Sequence, residues 1–187
     1  MDPLPCPTPA HWNDWLSLHH AGTAEVWLKL YRKGSGIPSI DWEQAVIEAL
    51  CWGWIDGQKK SGDGTFWLQR FTPRRKGSGW SQKNCGHVER LIGDGRMAAS
   101  GLAQVAAAKA DGRWQAAYSG SKGAVVPDDF LAALAAASDP ARTMFASLNR
   151  QNVFAIYIRV TTAKRPETRA KRIAGFVAML ARGEKLY

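Results

Sequence analysis

Cysteine is scarce in this chain: Cys6, Cys51 and Cys85 are odd in number, widely spaced and without a CxxC pair. That pattern excludes both a disulfide framework and a zinc knuckle, and three reduced thiols are expected. Long apolar runs are missing too. None approaches the roughly 20 residues that cross a bilayer, and Met1-Asp2-Pro3-Leu4-Pro5 lacks the basic and apolar regions of a secretory signal. A cytoplasmic protein without membrane insertion is the expectation. There is no GxGxxG, Walker loop, GxSxG, HExxH or EF-hand loop. His11, His19, His20 and His87 stand at no ligand spacing with the cysteines, so neither a metal nor another cofactor is expected. The lack of any fixed repeat argues against solenoids and propellers.

What is present is ordinary in amount and unusual in placement. The 187 residues are 45% hydrophobic and 22% charged, enough apolar surface to offset the entropy of ordering one domain or two small halves. Formal net charge is +9. Seven basic residues against two acids lie between Gln69 and Arg96, and eight against two between Arg159 and Lys185. These segments supply +5 and +6, which leaves −2 for the rest. Concentrated positive charge attracts anions, nucleic acid among them, although a solvated basic surface is an equal alternative.

Periodicity gives the elements. Thr8-Pro9 reads as an N-cap with proline in the first turn, followed by a helix through Trp12, Trp15, Leu16 and His19 that Gly22 stops. Residues 24–31 alternate: Val26, Leu28 and Leu30 point one way, Trp27, Lys29 and Tyr31 the other. A glycine-rich loop, with Gly34-Ser35-Gly36 read as a turn, leads to a helix beginning near Ser39 and carrying Trp42, Ala45, Val46, Ala49, Leu50 and Gly53 on one stripe. Residues 54–60 and 65–71 form a hairpin about Gly62-Asp63-Gly64. Beyond Pro73 helices follow, capped at Ser81 and Ser100 and opened near Pro127, Pro140 and Pro166, with a flexible connection from Ser119 to Gly123. Residues 153–162 fit either a strand or a buried helix capped by Asn149; the helix is favoured. The fold expected is α+β: a small antiparallel sheet packed with helices over 1–80, then an all-helical portion over 81–187.

The stretch from Cys51 to Asn84 concentrates chemistry. Trp52, Trp54, Trp67 and Trp80 share it with seven basic side chains. Indoles stack on bases or guanidinium planes, and arginine forks grip phosphate or carboxylate. Trp52 and Trp67 are expected in the core, Trp27, Trp54 and Trp80 in part exposed. A cleft lined by Trp27, Lys29, Trp54, Asp56, Lys59, Gln69, Arg70, Arg74, Arg75 and Trp80 is the candidate site for a small anionic ligand. Asp56 has two readings, a desolvated general base or an anchor paired with Arg70 or Arg74, the second favoured.

Trp27-Leu28-Lys29, the run Glu48 to Gly57, the run Gln69 to Arg75 and Trp80-Ser81, with Thr162 to Arg169 and Arg172-Ile173, resemble the YdeI/OmpD-associated, or bacteriocin-protection, family. The resemblance implies a bacterial role in resistance to bacteriocins or cationic antimicrobial stress and a two-part layout, and it supplies no catalytic residues. Four functions stay open: a non-catalytic anion-binding protein in stress tolerance, a nucleic-acid-binding protein using Arg70–Arg96 and Arg159–Lys185, an enzyme centred on Asp56, and an interaction protein whose exposed aromatics contact a partner, a copy of itself included.

Overall fold

The computed structural model describes residues 2–120 and 123–187. By internal contact the chain divides into two compact units, Met1–Ala117 and Tyr118–Tyr187. Of the expected connection from Ser119 to Gly123, Ser121 and Lys122 lie outside the described residues.

In the first unit β1 (Leu4–Pro5), α1 (Pro9–His19), β2 (Val26–Tyr31), α2 (Trp42–Cys51), β3 (Trp54–Ser61), β4 (Phe66–Pro73), α3 (Gln82–Gly93) and α4 (Ala99–Ala110) follow in order. The composition change after Pro73 therefore marks the end of the sheet and not of the compact unit, because α3 packs back onto α2. Local chemistry sets the helix starts. The Thr8 hydroxyl accepts from the His11 amide with Pro9 in the first turn, and Asp41 and Gln44 form a reciprocal capping box that opens α2 at Trp42, three residues after Ser39. Ser81 caps α3 as expected. Ser100 does not cap α4, which starts at Ala99; its hydroxyl donates instead to the Trp52 carbonyl at 3.0 Å.

The sheet order is β1-β2-β4-β3. The strands β2, β4 and β3 are antiparallel as expected, but the two-residue β1 lies parallel to β2, so the sheet is mixed. Opposite β4, β3 shifts register between Asp56 and Lys59. The buried Gln69 holds this bulge by donating to the carbonyls of Gly57 (3.0 Å) and Gln58 (3.3 Å). Alternation on β2 is as read from the sequence: Val26, Leu28 and Leu30 are buried against α1 and α2 with Trp12, Leu16, Val46, Leu50 and Phe71.

The second unit holds α5 (Asp128–Ala135), α6 (Asp139–Ala146), α7 (Arg150–Thr161) and α8 (Pro166–Ala181) around Phe130, Ile156, Val160 and Leu180. The ambiguous segment is the helix α7, capped by Asn149. Buried Asn152 accepts from the amides of Leu186 and Tyr187 at 3.0 and 3.1 Å, which ties residues beyond α8 to α7. Among the described residues no helix is long and apolar enough to cross a membrane.

Candidate functional site

Pairing register sorts the expected site residues onto different faces. Side chains directly opposite on antiparallel strands share a face. Trp27 pairs with Arg70, Lys29 with Leu68 and Tyr31 with Phe66, so these six stand together on the face away from the core. There the Lys60 ammonium lies 4.2 Å above the Trp27 ring, and Lys29 lies 4.1 Å above Phe66 and 5.1 Å from Tyr31. Arg70 donates from Nε to Glu25 at 3.0 Å, and the Trp27 indole N–H reaches the same carboxylate at 3.3 Å. The Arg70 hydrogen bond holds the Glu25 carboxyl below the usual range.

The remaining members point elsewhere, and several expectations are reversed. Trp54 is interior, its N–H on the His20 carbonyl at 3.3 Å and its ring edge-on to Trp15. Trp80 is interior as well, between the Arg74 guanidinium at 3.6 Å and Trp114 at 4.9 Å. Arg74 is itself buried and donates to the Gly79 carbonyl at 3.1 Å. Trp52 and Trp67, expected inside, are only half-buried. Arg75 is exposed, and Gln69 serves the bulge. The ten residues thus do not converge on one hollow; they divide among the outer sheet face, the core and the sheet edge.

Asp56 is anchored, but not by Arg70: its Oδ2 accepts from the Trp42 indole at 3.2 Å. Burial raises its pKa, opposed by that hydrogen bond and by the charge of Arg74. Beside it Lys83 bonds Glu43 at 2.8 Å, and the buried His87 packs between Glu43 and Arg90. Arginine can only donate, so the Arg90 contact of 2.7 Å makes His87 Nδ1 an acceptor and places the ring proton on Nε2, toward Glu43. Burial, then Arg90 and Lys83, hold the imidazole pKa below 6.5. The unfolded chain therefore takes up this proton first. The share of stability that His87 contributes is fully present above about pH 6.5 and is lost as pH falls below it. Urea midpoints at pH 7.5 and 5 should differ less in His87→Gln than in the wild type; an equal difference would remove His87 from the account.

A space that can take a ligand lies in the first unit at the β2–α2 loop. A groove of about 860 Å³ is lined by residues 31–41 with Gln44 and Trp67. Gly34 and Gly36 adopt φ of 89° and 74°, which only glycine takes without strain, and this opens the loop around the groove. At its wall the Trp67 ring has Lys59 Nζ at 5.2 Å and Arg32 Cζ at 5.9 Å. Of the ten expected residues Lys59 is the one whose cation lies over this ring. Sequence reading missed Arg32, Lys33 and Trp67, because Gly34-Ser35-Gly36 reads as a plain turn and an indole in a strand reads as core. A cavity of about 720 Å³ in the second unit, between α5, the turn that follows it and α8, is walled half by alanine, with its Arg169 paired to Asp129 at 2.6 Å. Among the described residues no three His, Cys, Asp or Glu side chains gather in a way that could hold a metal ion.

Two family models match the chain. Residues 4–104 match a domain of unknown function, DUF8412, and residues 123–183 match the model described as Bacteriocin-protection, YdeI or OmpD-Associated. The tryptophan and arginine motifs of the first half thus fall under a different model from the one they resemble, and the run Thr162 to Arg169 falls under the YdeI/OmpD-associated one. No curated protein and no solved structure matches. The chain belongs to the DUF8412 family, by a match over more than half its length, and carries behind that domain a bacteriocin-protection, YdeI or OmpD-associated domain.

Proposed function

We propose that this chain is a cytoplasmic, non-catalytic binding protein in stress tolerance of the bacteriocin-protection type, and that its first unit holds a nucleoside phosphate in the groove of the β2–α2 loop. The observation that carries the reading is Trp67, an indole only half-buried, with Lys59 and Arg32 at its ring and Lys33 on the same loop. A flat ring offers a stacking surface, and cations beside it offer partners for phosphate oxygens. A small anion without a ring would use half of this arrangement. The cytoplasmic placement is supported by Cys6 and Cys51, buried free thiols whose pKa burial pushes up to about 11. The alternative through Arg70–Arg96 and Arg159–Lys185 has less support, since Arg70, Arg96, Arg169 and Arg182 are each in an ion pair with a carboxylate of the chain.

Thermal shift with ATP, pyrophosphate and adenosine tests the reading. A ligand at a hundred times its Kd adds about 2.7 kcal/mol, a shift of several degrees. ATP is expected to give the largest shift, and Arg32→Gln combined with Lys59→Gln to abolish it. No shift with any of the three, or a shift unchanged in the double variant, would refute the site.

A further inference from the structure

We infer that the outer face of the sheet is a stacking platform for single-stranded nucleic acid, a site that borders the groove at Tyr31 but draws on different cations, Lys29 and Lys60. Three aromatic rings stand on this face in two stations. Tyr31 and Phe66 are directly opposed across β2 and β4, with ring centroids 6.0 Å apart and planes at 65°. Trp27 lies four residues away along β2, about 13 Å at 3.3 Å per residue. All three rings are partly exposed, while the buried side chains of β2 lie on the opposite face.

Each station carries a cation: Lys60 at 4.2 Å from the Trp27 ring, Lys29 at 4.1 Å from Phe66. Arg70, opposite Trp27, is taken up by Glu25 and is not counted among them. The nearby acids are engaged. Glu25 is held by Arg70 and the Trp27 N–H, and Asp63 in the hairpin turn accepts from the Thr65 amide at 3.0 Å and its hydroxyl at 2.7 Å.

The chemistry selects the occupant. A neutral sugar would stack on the rings and leave the ammonium groups without partners. An acidic peptide would take the cations and leave the ring faces bare. A duplex hides its base faces within its own stack, whereas a single strand presents both bases and phosphates. Lysine is a point charge on a flexible stem. Lys60 and Lys29 can therefore swing from the ring to a phosphate as a base takes the vacated face, so one contact is exchanged for two. Sheet-borne aromatics stack two or three bases in this way in RNA-binding sheets, and stacking tolerates any base.

The test uses the full chain and a fluorescently labelled oligothymidylate about a dozen nucleotides long, followed by anisotropy. Neutralising two phosphates on a single strand predicts a slope of about −1.4 in log affinity against log salt, roughly a 7-fold loss between 50 and 200 mM. Trp27→Ala is expected to weaken binding about tenfold, and Lys60→Gln to reduce the slope by about 0.7. Lys60 is exposed, so that variant keeps its fold; thermal melts check both. Arg32→Gln with Lys59→Gln should leave this affinity unchanged, which separates failure here from failure of the groove. Inorganic polyphosphate and a duplex of equal length should compete poorly. Absence of binding, equal affinity for polyphosphate, or full affinity in folded Trp27→Ala would each overturn the inference.

Discussion

Replacing Trp12 by alanine is expected to cost the first unit about 3–5 kcal/mol, a large part of a total that is typically about 5–15 kcal/mol. Trp12 has no exposed surface and joins three elements. Its indole N–H donates to the Ala45 carbonyl of α2 at 3.0 Å. Its ring lies 5.3 Å from Trp15 within α1 and 5.5 Å from Phe71 on β4. Alanine removes the packing on both sides at once, and a side chain held between a helix and a sheet leaves a hole that neither can collapse into. Leu18, 80% exposed on the same helix, is the contrast, and Leu18→Ala should cost under about 1 kcal/mol. Urea midpoints at unchanged m-value read both. Similar losses in the two variants would contradict the core described.

The second large effect comes from one hydrogen atom. Gly101 lies where α4 crosses the end of α2, and a Cβ there would stand 2.2 Å from the Cys51 carbonyl oxygen and 2.9 Å from its carbon. That carbonyl is main chain and already accepts from the Ala98 amide at 3.0 Å. It cannot turn away. Gly101→Ala must therefore push α4 off α2, at a cost of about 1–3 kcal/mol, despite the better helix propensity of alanine. Gly86, inside α3 with nothing within 4 Å of its Cβ position, tests the sign. Gly86→Ala should stabilise by about 0.5–1 kcal/mol. Two glycine-to-alanine changes of equal sign would show that the α2–α4 approach is not as close as described.

Much of the architecture was legible because its signals are local. The alternation of β2, the stripe of α2, the hairpin about Gly62-Asp63-Gly64 and the caps Thr8, Ser81 and Asn149 all depend on residues within a few positions of one another. The parallel β1 was not legible: two residues, one of them proline, carry no period, and the strand is defined only by β2 beside it. The fate of the tryptophans was hidden for the same reason. Trp80 is buried by Arg74 and by Trp114, over thirty positions away, and Trp54 by Trp15 and the His20 carbonyl. Trp67 looks interior from its strand, yet it stands at the strand end beside a loop whose glycines leave a groove. Register completed the mismatch. The bulge after Asp56 sends Lys59 to the Trp67 side and Lys60 to the Trp27 side, so two adjacent lysines serve opposite faces of the sheet.

The account turns on Trp67 being the indole that meets the ligand while Trp54 and Trp80 stay interior. An 15N spectrum of the nine indole N–H groups, assigned by single Trp→Phe variants and titrated with ATP, reads this directly. The Trp67 signal is expected to shift in saturable proportion to ATP, with those of Trp54 and Trp80 fixed. A stationary Trp67 signal, or a shift led by Trp80, would contradict it.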